Sequence, residues 1–211
     1  MSRPLIAVLD YGIGNLHSAA KAIEHVGGDA RLTTDAADAR AADAVVLPGV
    51  GAFGACMDAL RAASLEDVVH ESVDSGRPFL GICVGMQMLF TSSDEDPSAT
   101  GLGVIPGVVR WIPPGVKRPQ MQWNRLVLTR PDDPLFAGPE LSGSRDGAWV
   151  YFVHSLHGVP DDASSVVATC EYGGPLNVAF RAGNVFATQF HPEKSGRSGL
   201  ALLRNFVREV S

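Results

Sequence analysis

Short apolar runs recur along the first half of the chain, and their spacing predicts strands that alternate with helices. Leu5 to Leu9, Ala44 to Leu47 and Phe79 to Ile82 have the length and composition of buried strands. A weaker strand is expected near Arg31–Leu32. Helices are predicted over residues 15–26, 53–62, 65–75 and 84–91. Strands followed by helices across short turns predict an α/β fold, with a parallel sheet covered on both faces.

The second half of the chain has a different pattern, in which short β-type runs are bounded by Gly, Pro and Asp. These runs predict hairpins that extend or cap the sheet. The polar stretch from Ser92 to Thr100 is expected to be a loop, and Gly199 to Val210 an amphipathic closing helix. The predicted strands are "GVVRWI", "WNRLVLT", "AWVYFVHSL", "SVVATCEY", "NVAFRAG" and "NVFATQF".

Composition narrows the class of protein. The 211 residues, 45% hydrophobic and 19% charged, fit a single globular domain over residues 1–211. A net charge of -6, with no cluster of Lys or Arg, argues against a nucleic-acid partner. The N-terminal apolar run is too short for a signal peptide or a membrane span, so a cytoplasmic location is expected. The three cysteines, Cys56, Cys83 and Cys170, form no CxxC pair, which argues against a disulfide scaffold or a structural zinc site.

A glycine-rich turn follows the predicted strand that ends at Leu47. Residues 49–54 fit G-x-G-x-x-G, which favours a non-catalytic nucleotide-binding protein as one alternative, with Glu71 as the ribose-binding acid. That fingerprint normally occupies the first strand–helix turn, whereas here it follows a later strand. Glu71 also fits a solvated helix face. What the glycines provide in either case is exposed backbone N–H groups that can meet negative charge.

The stretch "GICVGMQ" places Cys83 at a predicted strand-to-helix turn, with Gly81 before it and Gly85 after it. Such a turn presents its central residue at the carboxyl edge of a sheet, and the glycines relieve crowding around a strained nucleophile. The N-terminus of the following helix stabilises a thiolate. Cys83 is therefore a candidate nucleophile, while Cys56 and Cys170 fit the core.

A cysteine nucleophile needs a base, and the base needs an orienting partner. The stretch "QFHPE" supplies both, since Phe186 to Phe190 is a predicted strand and His191 and Glu193 follow it. Residues two apart in extended chain point the same way, so the imidazole and the carboxylate can lie side by side. The remaining histidines fit the acid/base role less well. His17, His25 and His70 fall in predicted helices, His157 in a predicted loop, and His154 is intermediate.

Six motifs in a common order resemble the class I glutamine amidotransferases, and among them the glutaminase subunits of imidazole glycerol phosphate synthases. The motifs span nearly the whole chain: "DYGIGNL" at 10–16, "LPGVGAFG" at 47–54, "GICVGMQMLF" at 81–90, "QMQWN" at 120–124, "YFVHS" at 151–155 and "QFHPEKS" at 189–195. Many class I relatives carry Pro-Gly-Gly where this chain has Pro48-Gly49-Val50-Gly51. The resemblance implies a flavodoxin-like, mostly parallel mixed sheet with helices on both faces.

The resemblance also implies roles for individual residues. Cys83 is the nucleophile, His191 the acid/base and Glu193 its orienter. Backbone N–H groups of Val50, Gly51 and Val84 form the oxyanion site. Glutamine is contacted by Gly51, Gln87, Glu95, Ser155 and Leu156. No metal or organic cofactor is implied.

The implied partner is a (β/α)8 barrel cyclase, which forms a heterodimer with the glutaminase and consumes its ammonia in histidine biosynthesis. The family often has His and Gly where this chain has Gln120 and Gln122, and an aromatic residue where it has Leu156. A glutaminase of another class I amidotransferase, such as one serving pyridoxal phosphate synthesis, is the nearest alternative. The interface positions implied are Asn15, Gln120, Met121, Gln122, Trp123, Asn124, Tyr151 and Lys194.

Overall fold

The computed structural model describes residues 3–145 and 147–210. Its helices are α1 (Leu16–His25), α2 (Ala36–Ala41), α3 (Phe53–Ala62), α4 (Glu66–Asp74), α5 (Val84–Met88) and α6 (Gly196–Glu209). Its strands are β1 (Leu5–Leu9), β2 (Asp29–Thr33), β3 (Ala44–Gly49), β4 (Phe79–Cys83), β5 (Phe90–Ser93), β6 (Asp96–Thr100), β7 (Ile105–Trp111), β8 (Gln120–Arg125), β9 (Val127–Leu128), β10 (Trp149–His154), β11 (Leu156–Pro160), β12 (Val166–Glu171), β13 (Pro175–Ala182) and β14 (Val185–Thr188).

The central sheet has eight strands in the order β2-β1-β3-β4-β14-β13-β12-β9. Strands β2, β1, β3, β4 and β14 run parallel, and β13, β12 and β9 continue the sheet in antiparallel fashion. Strands β3 and β4 are buried along their whole length, which explains their continuous apolar sequence. The predicted mixed, mostly parallel α/β sheet is confirmed.

Helices cover both faces of this sheet. The chain leaves β1 toward β2 and then returns past β1 to β3, so right-handed crossovers put α1 and α2 on opposite faces. Helix α6 packs beside α1, and α4 packs beside α2. The buried apolar residues of both layers form one connected core. Among the described helices, none is both long and apolar enough to cross a membrane.

Two smaller sheets cap the large one. Strands β8 and β10 pair with each other, and a second sheet has the order β11-β7-β5-β6. The predicted hairpins are therefore confirmed in part, since β13 and β14 form a hairpin that extends the main sheet, whereas β8 and β10 pair across a long sequence separation.

Three local predictions were wrong, and one helix was not predicted. The helix predicted over 84–91 ends at Met88, because Phe90 enters β5 and packs its ring edge-on against Phe180. The loop predicted from Ser92 to Thr100 belongs instead to β5 and β6, whose polar residues pair with each other and with β7. His157, predicted in a loop, lies in β11 opposite Arg110. The unpredicted helix α2 is capped by Asp35, whose carboxylate accepts from two backbone N–H groups.

Candidate active site

The candidate catalytic residues meet at the carboxyl edge of the parallel strands. Cys83 ends β4 and lies opposite Gly49, the last residue of β3. Strand β14, on the other side of β4, ends at Thr188, and the chain then leads to His191. Because parallel strands all end at the same edge, residues far apart in sequence are brought together here.

Cys83 occupies a strained turn between β4 and α5. Its φ of 55° is a conformation that residues other than glycine rarely adopt. A Cβ atom on Gly85 would overlap the carbonyl oxygen of Leu47, so the neighbouring strand requires glycine at that position. The predicted sharp turn, with crowding relieved by glycine, is thus present around a buried thiol.

His191 and Glu193 form a buried pair beside this thiol. Nδ1 of His191 lies 2.8 Å from Oε1 of Glu193, and both side chains are almost fully buried. Because Nδ1 donates to the carboxylate, Nε2 is the ring atom left to interact with Cys83. Burial alone lowers the pKa of His191, but the Cys83 sulfur and the Glu193 carboxylate outweigh it and raise the pKa to about 9. The imidazole can therefore hold a proton at neutral pH.

A cavity of about 360 Å³ opens in front of these groups. It includes every position expected to contact glutamine or the oxyanion, and its lining comes from six separate stretches of the chain. The lining residues are Val50, Gly51, Cys83, Val84, Gln87, Glu95, Pro119, Val153, His154, Ser155, Leu156, His191 and Lys194.

Two side chains donate hydrogen bonds to the backbone at the end of β3 and in the turn that follows it. The Tyr11 hydroxyl donates to the carbonyl oxygen of Pro48 at 2.7 Å, and the Cys56 thiol donates to that of Val50 at 3.2 Å. Gly51 has a φ of +93°, with open space where a Cβ would stand. Gly49 differs, since a Cβ there would lie 2.5 Å from the backbone nitrogen of Gly85.

Two residues that the nucleotide-binding alternative assigns to a ligand, Gly54 and Glu71, have structural contacts instead. The third glycine, Gly54, packs against Asp96, where a Cβ would collide with the carboxylate. Glu71, the candidate ribose ligand, pairs with Arg40 on an exposed surface. Cys56 and Cys170 are buried, as predicted for core cysteines.

Glu95 reaches the cavity because it lies in the turn between β5 and β6. One carboxylate oxygen accepts the backbone N–H of Phe53 at 2.7 Å, at the start of α3. Half-buried and fixed in this way, Glu95 is not the solvated loop acid that its polar neighbours in sequence suggest. Its position depends on strand pairing that the local sequence does not indicate.

His154 is buried in a hydrogen-bonded network of its own. Nδ1 lies 2.7 Å from the carbonyl oxygen of Leu156, and Nε2 lies 2.9 Å from the side chain of Gln120. Burial lowers the pKa of His154 to about 4, so this imidazole is neutral at physiological pH. His154 therefore shapes the Ser155–Leu156 wall of the cavity.

The structure corrects one of the expected interface positions. Gln120 is fully buried between His154 and Cys170, so its side chain is inaccessible to a partner. Its neighbours Met121, Gln122 and Trp123 are exposed, and Trp123 packs edge-on against Tyr151.

Three of the remaining expected positions, Asn15, Tyr151 and Lys194, belong to or adjoin segments that pack around His191 and Lys194. Tyr151 lies beside His191, since its carbonyl oxygen accepts the backbone N–H of His191. Helix α1, which follows Asn15, packs against the 3-10 turn Pro192–Lys194, and Lys194 is exposed where it lines the cavity. Asn124 is half-buried, and its side-chain amide donates to the carbonyl oxygen of Glu171.

Sequence reasoning missed Gln189. Its side chain is fully buried and contacts both Cys83 and Gln87. The available signal was an amide side chain inside the mostly apolar stretch "VFATQF", two residues before His191.

Fold and site together define an amidotransferase of the class I type. A family model described as "Glutamine amidotransferase class-I" matches residues 7–210, and the chain belongs to this family. A solved structure described as a crystal structure of glutamine amidotransferase shares the fold, with a TM-score of 0.74 over 97% of this chain and 98% of that chain at 22% identity.

Curated relatives give a more particular likeness. The chain is 50% identical over 98% of its length to the imidazole glycerol phosphate synthase subunit HisH of Synechococcus sp. (strain JA-3-3Ab), covering 94% of that protein. It is 49% identical to the subunit of the same name from Syntrophotalea carbinolica, with 96% of this chain and 98% of that protein covered.

Proposed function

We propose that this chain is the glutaminase subunit of an imidazole glycerol phosphate synthase. It hydrolyses L-glutamine to glutamate and ammonia, and it delivers the ammonia to a (β/α)8 barrel cyclase with which it forms a heterodimer. The cyclase uses the ammonia to make imidazole glycerol phosphate and aminoimidazole carboxamide ribotide in histidine biosynthesis. The observation that carries this proposal is the meeting of Cys83 with the buried His191–Glu193 pair in one cavity.

The first half of the reaction is acyl transfer to sulfur. The Cys83 thiolate attacks the side-chain amide carbon of glutamine, and the carbonyl π electrons move to oxygen. Backbone N–H groups at Val84 and in the turn at Val50 and Gly51 stabilise this oxyanion. His191 then protonates the amide nitrogen, the C–N bond breaks, ammonia leaves and a thioester remains on Cys83.

The second half returns the enzyme to its starting state. His191, now neutral, removes a proton from water, and the resulting hydroxide adds to the thioester carbon. Collapse of this second tetrahedral intermediate breaks the C–S bond, releases glutamate and restores the thiolate and the imidazolium. Glu193 stays ionised throughout, and its hydrogen bond fixes the tautomer and orientation of the ring.

Polar groups around the cavity account for recognition of an amino acid. Glu95 supplies negative charge for the α-ammonium group, since a carboxylate that accepts one backbone N–H still has lone pairs for a further donor. The Gln87 side chain and the backbone of Ser155 and Leu156 provide the remaining polar contacts.

The partner surface is the exposed region beside the cavity. Met121 and Trp123 are large apolar side chains that are 62% and 48% exposed, which is the kind of surface a permanent partner covers. Lys194 adds a charge at the rim. Asn15, Gln122 and Tyr151 complete the proposed contact region, from which the buried Gln120 is excluded.

A glutamine analogue that carries an electrophilic carbon at the amide position tests the reaction directly. One label should be incorporated per glutaminase chain, and peptide mass spectrometry should find it on Cys83. Excess glutamine should protect Cys83 against labelling. Labelling of Cys56 or Cys170 in place of Cys83, or no protection by glutamine, would contradict the proposed chemistry.

A further inference from the structure

Gln189 lies at the centre of the site although no step described so far uses it. Its amide nitrogen is 3.8 Å from the Cys83 sulfur, and its amide oxygen accepts a hydrogen bond of 3.0 Å from the side chain of Gln87. One side chain therefore contacts both the nucleophile and a residue of the glutamine pocket.

We propose that Gln189 is a positioning residue that aligns the Cys83 thiolate with the Gln87 carboxamide. The inference rests on the proposed function, and it adds a link between the nucleophile and substrate recognition. An N–H group directed at sulfur stabilises the thiolate and limits its rotation about the Cα–Cβ bond. The carbonyl end holds Gln87 so that its remaining amide groups face the cavity.

Burial explains why an amide is required. Gln189 is fully buried, and so are Thr188 and Phe190 on either side of it in the chain. A polar side chain in such surroundings is costly unless its donor and acceptor groups are paired. The Gln189 side chain bonds to Cys83 and Gln87, and both of these residues belong to the site. If position 189 served packing alone, leucine or methionine would suit it better than glutamine.

Two substitutions separate the two contacts. Gln189→Glu keeps an oxygen to accept from Gln87 but puts a carboxylate oxygen where the N–H faces sulfur. We expect kcat to fall by about 10- to 100-fold at pH 8, as for loss of one hydrogen bond to a charged group, with KM for glutamine within about threefold of wild type. Gln189→Leu removes both contacts, so kcat should fall and KM should rise by about tenfold.

Alkylation of Cys83 measures the sulfur contact without any glutamine chemistry. The rate constant for iodoacetamide, assigned to Cys83 by peptide mass spectrometry, should fall by about tenfold in both Gln189 variants. Thr188→Val is the matched control, because Thr188 is equally buried but its hydroxyl donates to the backbone of Phe190. This control should alkylate within about twofold of wild type.

The outcomes distinguish this inference from the proposed function. If folded Gln189→Glu and Gln189→Leu both alkylate at the wild-type rate, or if Thr188→Val slows alkylation as much as they do, the positioning role is overturned. If one Gln189 variant fails to fold, the alkylation rate of the other decides, because the positioning role requires each variant to slow alkylation. Failure of the proposed function would appear elsewhere, as the absence of glutamine-protected labelling at Cys83 in the wild-type complex.

Discussion

The imidazole of His191 lies with its Nδ1 atom 2.8 Å from the Glu193 carboxylate, whereas its buried Nε2 atom has no hydrogen-bond partner among the described residues. This arrangement assigns one ring nitrogen to orientation and the other to chemistry. The second buried histidine of the cavity, His154, has both nitrogens engaged by Leu156 and Gln120. The two histidines therefore have different roles although both line the same cavity.

The Cys83→Ala variant should lose glutamine hydrolysis and keep its fold. The substitution removes the attacking sulfur, while the glycines that permit the turn remain. In complex with the cyclase, the variant should still support product formation from ammonium salts. Assays with glutamine and with ammonium chloride, run on the same preparation, check both expectations. Glutamine turnover at the wild-type rate would exclude Cys83 as the nucleophile.

His191→Ala should nearly eliminate turnover, whereas Glu193→Ala should impair it less, because an orienting residue does not itself transfer the proton. Glu193→Gln is the closer comparison, since it preserves shape and removes the charge. Steady-state kinetics of these variants and of His154→Asn would show how much each residue contributes to glutamine turnover. The pairing would be refuted if His154 proved indispensable and His191 did not.

The raised pKa of His191 predicts a pH dependence of stability. The ordinary pKa of 6.5 becomes about 9 in the folded chain, so folding favours the protonated ring. This contribution is fully present below about pH 6.5 and is lost as the pH rises through about 9. Urea unfolding between those values should show wild type losing stability relative to His191→Asn. A difference between the two proteins that stays constant with pH would contradict the expectation.

The turn after β3 should control how active the subunit is without its partner. We expect this turn to direct an N–H group away from the oxyanion when no partner is bound. The isolated subunit should then be nearly idle, because one missing oxyanion donor costs on the order of 10²–10³ in rate. Gly51→Ala tests this turn, since Gly51 has a φ of +93° but space for a methyl group. It should alter stimulation by the partner more than the KM for glutamine.

Gly49→Ala is a less specific test of the same turn, because a Cβ atom there would also meet the Tyr11 hydroxyl and the backbone of Gly85. Turnover of the lone subunit should be compared with that of the complex carrying an acceptor analogue. Rates that agree within a few-fold would rule out gating and leave the assignment of Cys83, His191 and Glu193 intact.

Charge reversal at Lys194 should weaken the complex without unfolding the subunit. The side chain is exposed at the rim of the cavity, beside the proposed contact region. Lys194→Glu should raise the dissociation constant by about tenfold, with more effect at low salt. Arg208→Glu, at the far end of α6, is the matched control and should bind normally. Equal affinity of Lys194→Glu and wild type in a subunit titration would exclude Lys194 from the interface.

The sequence by itself determined the elements whose signals are local. Apolar runs mark β1, β3 and β4, and the glycines around Cys83 mark a sharp turn at the end of β4, where the structure has it. The close spacing of His191 and Glu193 predicted a pair that is present, although β14 ends at Thr188, before the predicted strand end at Phe190. These features depend on the geometry of a few consecutive residues, so they can be predicted from the sequence alone.

Tertiary structure decided which distant residues share the cavity. Glu95 is placed there by the pairing of β5 with β6 and β7, and Gln120 is buried by the pairing of β8 with β10. Gln189 meets Cys83 across more than a hundred positions because β14 lies parallel beside β4. Polar residues such as these look alike in sequence whether solvated or buried, since their burial depends on hydrogen-bond partners supplied by remote strands.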